Sequence, residues 1–219
     1  SLDCGGAAVH FDETGCLAMN PINRIWSLLL VAGTGLAWGA TLAAQPTPAA
    51  PASCAPDGDM HYVCGIEAVE DLVRIDETRW LLGSGLGGRD RPGTLVLIDT
   101  RAKQAEILFP ASGAKVAPDA KRFPGCTTPP DPTKFNAHGI AIRPAGNGDK
   151  EFLVVNHGGR EAIEFFRVGM GGSKPALTWL GCVLMPPDTS INSLDSLPDG
   201  GFVATQFYVP SKGGIGAVF

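Results

Sequence analysis

From residue 70 onward, short apolar runs alternate with clusters of Gly, Pro, Asn and Asp. Runs of that length with that punctuation predict β-strands rather than helices. Three strand–turn–strand units stand out. Residues 70–75 lead through Asp76-Glu77-Thr78 into 79–84; residues 138–143 lead through a Pro/Gly/Asn/Asp turn into 151–157; residues 192–197 lead through Pro198-Asp199-Gly200-Gly201 into 202–207. The first unit continues with apolar runs at 94–99 and 105–109, the second at 162–168 and 177–184. Four short strands per unit, repeating at roughly 55 to 65 residues, is the rhythm of a β-propeller. The expected fold is therefore all-β, with a propeller domain over residues 64–219 holding about two and a half blades, fewer than a closed propeller needs.

Each unit opens on a polar residue. In a propeller the first strand of every blade lines the central tunnel, so equivalent strand starts form a ring. Here that ring is expected to hold Glu70, Asp71, His138 and Asn192. His157 joins them for a local reason: His138 begins one strand of its unit and His157 ends the next. In an antiparallel pair those two positions lie opposite each other. Two imidazoles at one strand end suit a general base and its helper. Taken singly, a histidine in a β-protein is more often a hydrogen-bonded structural residue, Asn192 can simply begin a turn, and Glu70-Asp71 can be a solvated strand start.

Composition narrows the picture. A net charge of −5, with no basic stripe, argues against nucleic-acid binding. The 29 glycines and 18 prolines suit many short strands joined by turns. Residues 19–44 form a separate segment: a start with one basic residue, Arg24, an uncharged stretch, and Thr41-Leu42-Ala43-Ala44 at the end. This pattern predicts a helical secretory signal peptide; the competing reading is a membrane anchor. Residues 45–63 then form an Ala/Pro-rich linker and lead-in, and residues 1–18 read as an upstream extension outside the fold. Export makes Cys54, Cys64, Cys126 and Cys182 expected disulfide partners, with three pairings open. Cys54, His61 and Cys64 lack the second cysteine pair that a zinc site needs.

Two further motifs fail on context. Gly83-Ser84-Gly85-Leu86-Gly87-Gly88 has dinucleotide-loop spacing, yet Arg89-Asp90-Arg91-Pro92-Gly93 cannot open the helix that such a loop requires. Ser84 lacks the spacing of a nucleophile elbow.

Three segments carry a family resemblance: Phe135-Asn136-Ala137-His138-Gly139-Ile140, then Leu153-Val154-Val155-Asn156-His157, then Ile163-Glu164-Phe165-Phe166. Together they resemble the paraoxonase/arylesterase group of the gluconolactonase and strictosidine-synthase-like six-bladed propellers, over about residues 64–208. The resemblance implies a calcium-dependent hydrolase of lactones and aryl esters. It implies a dyad of His138 and His157, with Glu70 and Asn192 as ligands of a catalytic calcium. Asp71 and the carbonyl of Ile140 would be ligands of a structural calcium. Ser193 stands where the family has an acid, and the remaining ligands are expected from later blades.

The expected function is thus calcium-dependent hydrolysis of a small-molecule lactone or ester, in the periplasm or outside the cell, with no stable membrane anchor once the signal is cleaved. The alternative is a non-catalytic propeller that binds a ligand or partner through its loops.

Overall fold

In the computed structural model, residues 54–111 and 114–213 are described. The expected 1–18 extension, the expected signal segment 19–44 and residues 45–53 of the linker lie outside the described residues. Within them the chain forms eleven strands and no α-helix, in three sheets that are antiparallel except for one short parallel strand. The first sheet runs in order β1 (Val69–Arg74), β2 (Trp80–Gly85), β3 (Thr94–Asp99) and β4 (Gln104–Phe109). After it comes β5 (Lys115–Val116), a two-residue strand. The second sheet runs β6 (Ala137–Pro144), β7 (Lys150–Asn156), β8 (Ala162–Gly169) and β9 (Ala176–Leu184), with β5 added in parallel along β9. The third pairs β10 (Ser190–Ser196) with β11 (Phe202–Tyr208). All belong to one compact unit, Pro48–Phe219.

The strand runs expected from the sequence all form, with ends shifted by a residue or two. Only β5 was not expected, since two residues carry no readable period.

Alternation explains how the sheets stack. On β7, Phe152 and Val154 face a core shared with Leu82, Leu95, Leu97 and Phe109 of the first sheet. Leu153 and Val155 face the opposite way, into a core shared with Ile191 and Leu194 of β10. The second sheet is therefore buried on both faces, between the other two. Such a strand reads as a continuous apolar run, as residues 152–155 do. On β9 the alternation breaks once. Phe165 pairs with Gly181 and Phe166 with Trp179, leaving Leu180 as the extra residue of a bulge. A Cβ at Gly181 would meet the Phe123 ring at 2.4 Å, so glycine lets that ring lie flat on the strand.

Two disulfides form, Cys54–Cys64 and Cys126–Cys182. The second bridges 56 positions and ties the connection before β6 to β9. Closing a loop of that length in the unfolded chain is worth about 4 kcal/mol on the chain-entropy account.

Ionic contacts fasten the end of β6 and β7 remote from His138. Glu151 lies opposite Arg143 in register and takes its Nε at 2.8 Å. The Arg122 guanidinium binds both Glu151 oxygens, with Nη2 to Oε2 at 2.9 Å. Arg143 also donates from Nη1 to the Gly201 carbonyl at 2.6 Å, joining the second sheet to the turn of the third. Burial alone would raise the Glu151 carboxyl, but hydrogen bonds from Arg122 and Arg143 outweigh it and hold the pKa below its ordinary 4.5. The unfolded chain therefore takes up this proton at higher pH than the folded one. The stabilisation is complete above about pH 4.5 and is lost as pH falls through the depressed folded value. Replacing Glu151 with Gln should cost about 3 kcal/mol, because Arg143 is left buried without its anion. Acid denaturation curves should also be shallower for the variant; identical curves would show that Glu151 does not govern this limb.

Candidate functional site

The three sheets meet through their first strands: β6 packs beside β1 on one side and β10 on the other. Pairing with each neighbour within its own sheet is interrupted near the strand start. On β1 the break lies between Val69 and Asp71, at Glu70. On β6 it lies between Ala137 and Ile140, at His138 and Gly139. On β10 it lies between Ile191 and Leu194, at Asn192 and Ser193. A bulge re-aims the side chain that it frees from the ladder. Glu70, His138 and Asn192 are each freed in this way.

The side chains form a chain of contacts. His138 Nδ1 lies 3.0 Å from His157 Nε2, with the rings edge-on at 65°. His138 Nε2 lies 3.2 Å from Glu70 Oε1. At the other end, His157 Nδ1 lies 2.8 Å from Glu161 Oε2. Both rings are mostly buried, with side-chain exposures of 17% and 19%. They line a cleft of about 390 Å³ whose other walls include Leu86, Ile191, Phe207 and Tyr208.

A buried anchor holds the dyad. Asn156, fully buried at the end of β7, accepts from Asn136 N at 3.1 Å and Gly158 N at 2.8 Å. It donates from Nδ2 to Glu164 Oε1 at 3.0 Å. Glu164 is also fully buried, and Arg160 and the Trp179 indole N–H donate to it. Its charge is thus matched by a guanidinium and its oxygens are filled, as a buried carboxylate requires. His157, between Asn156 and Gly158, donates its own amide to the Asn136 carbonyl at 3.0 Å. The backbone is gripped on both sides of the imidazole.

The other candidate ligands are placed as follows. Asp71 accepts from Ile140 N at 3.1 Å and from Leu72 N at 2.8 Å, so it reaches Ile140 through the amide rather than the carbonyl. The Asn192 carbonyl lies against Gly139, where an added Cβ would come within 2.6 Å. Glycine is what lets β6 and β10 approach so closely there. Glu70 thus meets the His138 ring from β1, and the Asn192 backbone lies against the next residue, Gly139, from β10. Cys126, Glu164 and Cys182 also converge, but the cysteines are joined to each other and Glu164 is saturated by donors, so this cluster offers nothing to a metal. A second cleft of about 450 Å³ beyond Asn136 is lined by Arg89, Arg91 and Lys134. Arg91 is paired with Glu67 and Lys134 with Asp131.

Glu161, Asn136 and Asn156 escaped the sequence reading as working parts of the site. For Asn156 the available signal was Glu164: a charged residue inside the apolar run 162–168 has to find partners nearby. Neither a protein-family model nor a curated protein matches this sequence.

Replacing Asn156 with Leu should take one of the two donors from Glu164 Oε1 and leave two backbone amides without their acceptor, costing about 3 kcal/mol. The loss should appear in chemical denaturation, together with a changed His157 ring environment by NMR. An unaltered His157 signal in a folded variant would show that the anchor does not position the dyad.

Proposed function

We propose that this protein is a calcium-dependent hydrolase of lactones or aryl esters, of the paraoxonase/arylesterase kind, built as a β-propeller and working in an exported setting. The observation that carries the reading is the 3.0 Å contact between His138 and His157 at a register break, between strands that bring Glu70 and Asn192 to either side. Three sheets stacked face to face, with their first strands adjoining, support a propeller. Two disulfides support an oxidising compartment.

The donor set fits a hard cation. Glu70 and Asn192 offer oxygen atoms, the ligands that calcium takes. Asp71 and the Ile140 carbonyl are candidates for a structural ion, and Ser193 brings no charge to it. Bound there, calcium would supply Lewis-acid polarisation of the substrate carbonyl and stabilise the oxyanion. The chain's own residues do the rest. His138 takes a proton from the attacking water. His157, in contact with the other ring nitrogen of His138, orients it and shares the proton. Leu86, Ile191, Phe207 and Tyr208 give the apolar part of an ester or lactone a surface that excludes water.

His138→Gln should lower kcat/KM for an aryl ester and a lactone by about 10²-fold or more. His157→Gln should cost less. Chelation should abolish turnover and added calcium should restore it. Turnover unchanged in the His138 variant would remove the dyad from the mechanism. Calcium binding with no hydrolysis of either substrate would instead identify a ligand-binding module.

A further inference from the structure

We infer that Glu161 is the positioning residue of this site. It sets the direction of the hydrogen-bond chain through both histidines, so that the basic nitrogen facing the reaction is His138 Nε2. The kinetic part of this inference rests on the hydrolase reading above; the structural part does not.

An ionised carboxylate can only accept hydrogen bonds. Glu161 Oε1 accepts from the Ile191 amide at 2.6 Å. Glu161 Oε2 lies 2.8 Å from His157 Nδ1, so Nδ1 has to carry the hydrogen. A neutral imidazole has one N–H, which leaves His157 Nε2 as an acceptor. The atom facing Nε2 at 3.0 Å is His138 Nδ1, which must then be the donor. His138 in turn keeps its lone pair on Nε2. That nitrogen is the one beside Glu70, at 3.2 Å, on the side where a cation's ligands would gather.

Three contacts run along Glu70, His138, His157 and Glu161, and two neutral rings hold only two N–H protons. With Glu161 directing the chain, both protons are used at the His157 end, and the contact left without one is that between His138 Nε2 and Glu70. That unfilled contact is the one a cation would take over by drawing Glu70 away from the ring. Without Glu161 the chain can run the other way, with N–H at His157 Nε2 and at His138 Nε2, and the outward nitrogen is then no base. The Ile191 contact adds a second effect. The same carboxylate holds the residue before Asn192 at the start of the β10 bulge, so dyad and candidate ligand strand share one fastening.

The test uses the full chain with 15N-labelled histidine. Long-range 1H–15N spectra at neutral pH distinguish an N–H nitrogen from a lone-pair nitrogen in each ring. In the wild type, neutral His157 should be protonated at Nδ1 and neutral His138 at Nδ1. In Glu161→Leu, which has no acceptor, His157 should populate the Nε2–H form, and kcat should fall about tenfold or more while KM changes less than about twofold. Glu161→Gln has one acceptor oxygen for two donors and should fall between. Wild-type His157 protonated at Nε2, or a Leu variant with the wild-type spectrum, would overturn the inference; the first of these does not depend on the variant folding. If the spectra follow expectation but the wild type hydrolyses neither ester nor lactone, Glu161 keeps its positioning role and the hydrolase reading falls.

Discussion

The buried contact between Asn156 and Glu164 is the constraint on which the site depends. A carboxylate with no solvent exposure is tolerable only when a cation and hydrogen-bond donors surround it. Meeting that demand draws Arg160, Trp179 and Asn156 together. Asn156 then has its carbonyl oxygen left to accept the amides of Asn136 and Gly158. The requirement to satisfy one buried charge thereby fixes the backbone on both sides of His157. Gly158 lies so close to the Lys134 carbonyl that an added Cβ would stand only 1.6 Å away, an approach only glycine permits.

Register breaks do the complementary work. A regular ladder sends successive side chains to opposite faces, and on β6 both faces go into cores. A histidine held in strict register there would be buried among Phe and Leu. The break at His138 and Gly139 turns the imidazole toward the strand end instead, where His157, Glu70 and a cleft meet it. An equivalent break at Glu70 lets that side chain reach His138, and one at Asn192 interrupts the ladder of β10. The stacking of sheets supplies proximity, and the bulges supply aim.

Charge is divided between the two ends of β6 and β7. At one end Glu151 is locked between Arg122 and Arg143, and Arg143 reaches the third sheet. At the other, two carboxylates bracket two imidazoles. The first arrangement joins sheets and keeps its charge state over the neutral range. The second has three contacts that two neutral rings cannot all fill with N–H donors.

The strands were legible in the sequence because turn residues and apolar runs act locally, over a few positions. The meeting of His138 and His157 was legible too, since a single hairpin brings them together. The sequence also singled out Glu70, Asp71 and Asn192 by their places at strand starts. It did not contain, in any readable form, the partner of Cys126, the two-residue β5, the amide contact between Asp71 and Ile140, or the role of Glu161. The four cysteines allow three pairings, and packing selects one. Glu161 is only four residues from His157, but its other contact is the amide of Ile191, thirty residues on and in another sheet. Local pattern determines which segments become strands and which polar residues stand at their ends. Which nitrogen faces which oxygen depends on how separate sheets stack and where their registers slip, and those are set by packing across the whole domain.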